Sequence, residues 1–209
     1  MQVNYWNISK DGFNMGKEKY TKDIERLFKK SPVVDSSSIF RIIRNKKNVK
    51  QYPKQLIRNL ILKNKIKKVV KGFYTKYEDP SLSVFCFKPA YLGLQDALSL
   101  HELWEQETIP VIITTKKVRQ GIRNVFGTNI LVRRIDNKYI FGFKYFKQGE
   151  FYFPYSDIEK TFIDLVYFKQ KISEDIRKEI INKMNMKRLK SYLKVYPKKF
   201  REKVLNYFL

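Results

Sequence analysis

The side chains most suggestive of catalysis lie at residues 157–160. Asp157, Glu159 and Lys160 place two carboxylates beside a lysine, a set that could support metal-assisted hydrolysis of a phosphodiester. The same stretch begins Ser156-Asp157-Ile158-Glu159, which is typical of a helix capping box with Ser156 as the N-cap. Capping explains these residues with fewer assumptions, so a metal-dependent nuclease is kept only as the enzymatic alternative.

Other catalytic patterns are missing from the sequence. The eight glycines are scattered, and no phosphate-binding loop, nucleophile elbow or Gly-Ser dipeptide is present. His101 is the only histidine and Cys86 the only cysteine, so a Cys/His zinc site cannot form from this chain. We therefore expect no catalytic residues, no bound metal and no cofactor, and we predict that the chain is not an enzyme.

The charge of the chain points to a polyanionic partner. The chain has 44 Lys and Arg residues but only 20 Asp and Glu residues, which gives a formal net charge of +24. This excess of positive charge makes nucleic acid the first candidate partner. An anionic membrane is less favoured, because the sequence has no apolar run long enough for a span and no signal-peptide pattern. A single cysteine suits a reducing compartment, so we expect a cytoplasmic protein that does not bind membranes.

The excess charge is carried by the two ends of the chain. Residues 1–80 have a formal charge of +13, residues 169–209 of +9, and the middle block only +2. Within the first block, residues 36–77 contain thirteen Lys and Arg and no acidic residue. Solvated surfaces usually mix both signs, so this stretch indicates a phosphate-facing surface. A lysine-rich face arising from a biased genome composition is the alternative.

Hydrophobic periodicity predicts three helices and a hairpin in the same block. Residues 18–30 and the segment after Asp35 each carry an apolar helical stripe, and Pro53 stands at the start of a third helix. Two β-rich runs around Lys71-Gly72 then predict a β-hairpin. Helix, helix, turn, helix and hairpin is the order of a winged helix-turn-helix, which docks its third helix in the major groove of DNA.

This interpretation assigns a DNA-binding role to particular side chains. We expect Gln55, Arg58 and Asn59 to contact bases, and the lysines of the third helix and hairpin to contact phosphates. The phosphate-contacting set is Lys54, Lys63, Lys67, Lys68 and Lys71. The second helix and the turn after it add Arg41, Arg44, Lys46 and Lys47.

The rest of the chain predicts a second, mixed α/β domain. Composition changes near residues 76–82, so we divide the chain into domains 1–80 and 81–209. The second is expected to contain a helix at 91–104, strands at 108–115, 129–135 and 139–146, a helix beginning at Ser156, and three short C-terminal helices with basic faces. Nine basic residues and one acid between 183 and 203 make these helices a second candidate surface for DNA or RNA. The predicted fold class is thus α+β.

Several short segments resemble the AbiEi family of antitoxins. Lys71-Gly72-Phe73-Tyr74 resembles the family's wing, Ala97-Leu98 with His101-Glu102-Leu103 its Ala-Leu-x-x-His-Gly-Leu helix, and Glu159-Lys160-Thr161-Phe162-Ile163-Asp164-Leu165 its Glu-Lys-Thr-Leu-x-Asp-Leu segment. The likeness spans about residues 20–170, and Glu102 departs from the family's Gly.

This resemblance implies a transcriptional repressor that binds repeats in its own promoter. It also implies that the protein counters a separately encoded nucleotidyltransferase toxin of a type IV toxin–antitoxin system without a stable complex. A winged-helix module that binds nucleic acid or protein without an antitoxin role is the alternative.

Overall fold

A computed structural model describes residues 15–44 and 52–208, and the chain divides into two compact units between Glu78 and Asp79. This division lies within the linker predicted at residues 76–82. The fold is mixed α/β with a sheet and C-terminal helices, which confirms the coarser part of the predicted fold class.

Three amphipathic helices build the first unit: α1 (Met15–Lys30), α2 (Ser36–Arg44) and α3 (Tyr52–Leu62). Each helix buries apolar side chains spaced three or four residues apart, the spacing that places them on one face. The resulting core contains Ile24, Phe28, Val34, Ile39, Ile43, Leu56, Ile57, Leu60 and Ile66.

A small antiparallel sheet completes the first unit. Its strands are β1 (Val33–Asp35), β2 (Lys67–Val70) and β3 (Phe73–Thr75), in the order β1-β3-β2. Gly72, in the turn between β2 and β3, has a φ of +84°, which glycine adopts without strain. The hairpin was predicted, whereas β1 was not, because three residues after Ser31-Pro32 are too few to establish a strand period.

Local hydrogen bonds fix where α2 begins and α3 ends. The Asp35 carboxylate accepts from the Ser38 amide at 2.7 Å and from the Ser37 hydroxyl at 2.5 Å. Burial acts to raise the pKa of Asp35, but these hydrogen bonds outweigh it, so the pKa is lowered. After α3, Asn64 adopts a φ of 52°, and the Lys65 amide donates to the Leu60 carbonyl at 2.9 Å. This is a Schellman-type ending.

The second unit is built on a six-stranded mixed sheet in the order β6-β7-β5-β4-β9-β8. The pairs β7/β5 and β4/β9 are parallel, and the other three are antiparallel. The strands are β4 (Ala90–Leu92), β5 (Val111–Thr114), β6 (Gly121–Val125), β7 (Thr128–Arg134), β8 (Phe143–Gln148) and β9 (Phe151–Ser156).

Five helices accompany this sheet: α4 (Gln95–Leu100), α5 (Ile158–Tyr167), α6 (Glu174–Lys183), α7 (Met186–Leu193) and α8 (Lys198–Leu205). Residues 159–166 of α5 are all buried, and α5 contacts α4, α6, α7 and β9. Within the described ranges, no helix combines the length and apolar character that a bilayer crossing requires.

Three predicted boundaries in this unit are wrong. The strand expected at 139–146 is β8, which begins only at Phe143 and ends at Gln148, because residues 137–139 form a 3-10 turn. The helix expected at 91–104 is shorter, because Tyr91 and Leu92 belong to β4 and Leu94 has a φ of 56° just before α4 begins. The helix expected to be capped by Ser156 is capped by Asp157, whose carboxylate accepts from the Lys160 amide at 2.9 Å. Ser156 pairs with Phe143 in the sheet, so it is not available to cap the helix.

Candidate nucleic-acid interface

One side of α3 is buried and the other is open to solvent. Leu56, Ile57 and Leu60 are each 5–6% exposed and face the core of the first unit. Lys54, Gln55 and Arg58 are exposed, Asn59 is partly exposed, and Lys63 is exposed just after the helix ends. At 100° per residue these five side chains share one arc, in which the apolar Leu62, 70% exposed, also lies. We call them the α3 surface.

The polar side chains of the α3 surface are close enough to act together. The Gln55 side-chain amide donates to the Asn59 side-chain carbonyl at 3.2 Å, one helical turn away. Such amides can exchange this mutual bond for hydrogen bonds to a ligand, and an Arg58 guanidinium beside them carries five further donors. Among residues 15–44 and 52–208, no carboxylate forms an ion pair with Lys54, Arg58 or Lys63.

The β2–β3 hairpin follows α3 after a connection of only four residues, 63–66. Lys68 and Lys71 are exposed on it, and the turn is held against α2 because the Ser36 amide donates to the Gly72 carbonyl at 2.8 Å. Lys67 differs from the other predicted phosphate ligands, since its ammonium forms an ion pair with Glu78. Lys68 and Lys71 are therefore the better candidates for phosphate contact.

The remaining predicted DNA-binding residues are only partly described. Arg41 is exposed on α2 and donates to the Ser38 hydroxyl at 3.1 Å. Arg44 ends α2, and its side chain is outside the described part of the structure. Lys46 and Lys47 lie outside the described residues altogether.

The second unit carries a basic cluster that sequence analysis missed. Lys117, Arg119 and Arg134 are exposed around the β5–β6 connection and the end of β7. Arg123 on β6 stacks over the Phe87 ring, 5.1 Å from its centroid, and donates to the Arg119 carbonyl. The sequence does indicate this cluster, because residues 108–135 contain six basic residues and no acidic residue. The formal charge of the whole middle block, residues 81–168, is close to zero, and this concealed the local excess.

The side chains of the nuclease alternative have partners within the second unit. Asp157 caps α5 and accepts from the Tyr192 hydroxyl at 2.8 Å. The Glu159 carboxylate accepts from the Asn185 amide at 2.7 Å, at the start of α7, and lies 3.4 Å from the Arg188 guanidinium. Across the ranges that the structure covers, no group of three or more His, Cys, Asp or Glu residues is placed to hold a metal ion.

Lys160, the third of these side chains, is completely buried in an ion pair with Asp164. Its ammonium lies 5.3–5.9 Å from the ring centroids of Tyr91, Phe141 and Tyr196, an arrangement in which the ring faces stabilise the charge. Asp164 also accepts from the Tyr91 hydroxyl at 2.6 Å. Burial lowers the pKa of Lys160 and raises that of Asp164, and each partner opposes the shift of the other. This arrangement is suited to holding α5 in place.

Asp96 is a partly buried carboxyl of a different kind, because no described cation pairs with it. It accepts from the Val111 amide at 3.1 Å and from the Tyr155 hydroxyl at 3.4 Å. Burial raises its pKa to about 7, and the nearby Asp79 charge adds to the shift. Ionised Asp96 therefore destabilises the fold at neutral and higher pH.

We expect Asp96→Asn to stabilise the protein at pH 8 and to have a smaller effect at pH 5. The folded-state pKa lies above the unfolded value, so wild type loses stability as pH rises from about 4 to about 7. The asparagine side chain of the variant does not ionise, so the variant does not lose this stability. Each pKa unit corresponds to about 1.4 kcal/mol, and a net gain of about 2 kcal/mol at pH 8 relative to pH 5 is the expected result.

Urea denaturation at the two pH values measures this difference. Glu105→Gln, which changes an exposed carboxyl of the same unit, is the control and should leave stability unchanged at both. Equal effects of Asp96→Asn at pH 5 and pH 8 would show that Asp96 is not held at a raised pKa.

Comparison with known proteins shows the fold of the chain and not its family. No protein-family model matches the chain, and no curated protein sequence does so either. The solved structures that match it include the crystal structure of the RV2827C protein from Mycobacterium tuberculosis, with a TM-score of 0.54 and 12% sequence identity. The match covers 90% of this chain and 76% of that one.

Proposed function

We propose that this protein binds duplex DNA through a winged helix-turn-helix formed by its first unit. The order α1, β1, α2, α3, β2, β3 and the sheet order β1-β3-β2 support this assignment. The observation that carries the proposal is the α3 surface: a helix whose outward side presents mostly polar and basic side chains, with the exposed Leu62 among them, while its inward side is buried. A surface of that shape and charge suits the major groove.

The dimensions and chemistry of α3 support this docking. Its eleven residues span about 16 Å at 1.5 Å per residue, and a helix fits a major groove about 12 Å wide. Arg58 would donate to a guanine edge, and Gln55 and Asn59 would each pair with an adenine edge. Lys54 and Lys63 would bind the flanking phosphates, while Lys68 and Lys71 on the hairpin would reach adjacent backbone.

The biological role follows from the resemblance to AbiEi antitoxins. We propose that the chain represses its own promoter by binding repeats there, and that it counters a nucleotidyltransferase toxin without forming a stable complex. An adjacent reading frame with a Gly-Ser pair followed by two spaced carboxylates would support this role. DNA binding by the α3 surface does not depend on it.

Lys68→Ala tests the electrostatic part of the proposal. Because Lys68 would contact phosphate and not bases, the variant should weaken binding to all duplexes alike, and the slope of log affinity against log salt should fall by about 1. Both effects are measured by fluorescence-anisotropy titrations at two salt concentrations. The ligands are a duplex from the region upstream of the gene, called the upstream duplex, and a duplex of random sequence.

Lys29→Ala is the matched control, since Lys29 is also exposed but belongs to α1. An unchanged salt slope for Lys68→Ala, or an equal change for Lys29→Ala, contradicts the assignment of the hairpin. Tighter binding of structured RNA than of either duplex would replace duplex DNA with RNA as the ligand.

A further inference from the structure

A cleft in the second unit has the features of a small-ligand site. It has a volume of about 350 Å³ and lies where the start of the 3-10 turn Pro80–Cys86, helix α4 and strands β8 and β9 come together. Its polar lining consists of Asp96, Ser81, Ser99, Thr108, Thr128, Gln148 and Tyr155. The volume is at the lower end of the range for small-molecule pockets.

Asp96 has few hydrogen-bond donors for a partly buried carboxylate. One oxygen accepts from the Val111 amide at 3.1 Å, whereas the other receives only the Tyr155 hydroxyl at 3.4 Å. That hydroxyl has one proton and lies 2.9 Å from the Gln148 side-chain carbonyl, which competes for it. A carboxylate oxygen that is partly withdrawn from water and has at most one long hydrogen bond from the described residues is stabilised when another donor arrives. The cleft is where such a donor would enter.

The charge of the lining determines which donor fits. In a chain with 44 basic residues, the residues that line this cleft include no Lys, Arg or His. The nearby Asp79 adds further negative potential at Asp96. An anion would therefore be repelled by Asp96, while a cation with N–H groups would donate to its carboxylate and relieve its unfavourable ionisation.

We propose that this cleft binds a small organic cation bearing an ammonium or guanidinium group, with Asp96 accepting its N–H donors. Gln148 and Tyr155 bond further polar atoms of the ligand, and the Ser99, Thr108 and Thr128 hydroxyls surround it. The site belongs to the second unit alone, so it does not depend on DNA binding by the first.

Agmatine is a suitable probe because it carries both cationic groups. Isothermal titration of the full-length protein with agmatine at pH 8, where Asp96 is ionised, should show one saturable site per chain. The net charge of +24 disfavours non-specific binding of a cation, so saturation is informative. Asp96→Asn should weaken binding at least about tenfold, as expected for loss of a charge-assisted hydrogen bond, and Gln148→Leu by several-fold.

Two controls separate site binding from other causes. Glu105→Gln removes an exposed carboxyl outside the cleft and should bind agmatine as wild type does, while circular dichroism verifies that each variant is folded. Inorganic phosphate at equal concentration should neither bind in the cleft nor compete with agmatine. Absence of saturable agmatine binding, equal affinity of Asp96→Asn and wild type, or competition by phosphate would overturn the proposal.

Discussion

Asp164→Ala is expected to lower the free energy of unfolding by about 3–5 kcal/mol, the usual cost of breaking a buried ion pair from one side. The variant leaves the Lys160 ammonium with only the Tyr196 hydroxyl, 3.2 Å away, as a hydrogen-bond acceptor. It also removes the acceptor of the buried Tyr91 hydroxyl. Urea denaturation at pH 7, followed by circular dichroism, measures the loss.

The pH dependence of this loss distinguishes an unpaired lysine from a simple cavity. Without Asp164, burial lowers the pKa of Lys160 in the folded state, so the unfolded chain binds more protons and stability rises with pH. The deficit of the variant should therefore shrink between pH 7 and pH 10. A Lys160→Met, Asp164→Leu double variant should lose less than the sum of the two single variants.

Glu105→Ala serves as the control for these measurements, because it removes an exposed carboxyl from the same unit. A loss below about 1 kcal/mol for Asp164→Ala, or a deficit that does not change with pH, would mean that the pair does not hold α5 in place.

Arg58→Ala is expected to weaken binding to the upstream duplex by about 1–3 kcal/mol, which is about fivefold to more than a hundredfold. Arg58 lies near the centre of the α3 surface, where a bidentate contact to a guanine edge can form. Affinity for random duplex should fall much less, since that binding depends on phosphates. Competition titration with upstream and random duplexes measures the resulting loss of specificity.

The sequence predicts the helices of the first unit well because their apolar residues recur with the helical period over three turns. In α3, Leu56, Ile57, Leu60 and Ile61 are predicted as the buried side; the first three are buried and Ile61 is partly buried. The exposed positions of Lys54 and Arg58 follow from the same period. What the period cannot predict is the pairing of Lys67 with Glu78, because the ion pair depends on how the chain leaves the sheet.

Short and irregular strands are what sequence patterns miss. Strands β1 and β4 have three residues each, which is too short for an alternating pattern. Strand β9 contains Pro154, and proline argues against a strand because it cannot donate a ladder hydrogen bond. These omissions matter for function, since β9 carries Tyr155, which faces the cleft, and Ser156, which was wrongly expected to cap α5.

The buried polar groups of the second unit could not be assigned from sequence for a related reason. Lys160 and Asp164 are one helical turn apart, as an exposed surface pair often is, yet both are fully buried. The distinction depends on Tyr91 and Tyr196, which are far from them in sequence and meet them only in the folded unit.

Docking of the α3 surface on duplex DNA is tested most directly by titrating wild type, Arg58→Ala and Lys29→Ala with the upstream duplex in excess random duplex. Wild type and Lys29→Ala should bind with equal affinity, and Arg58→Ala should bind at least about fivefold more weakly. Binding by Arg58→Ala equal to wild type, or no preference of wild type for upstream over random duplex, would contradict it.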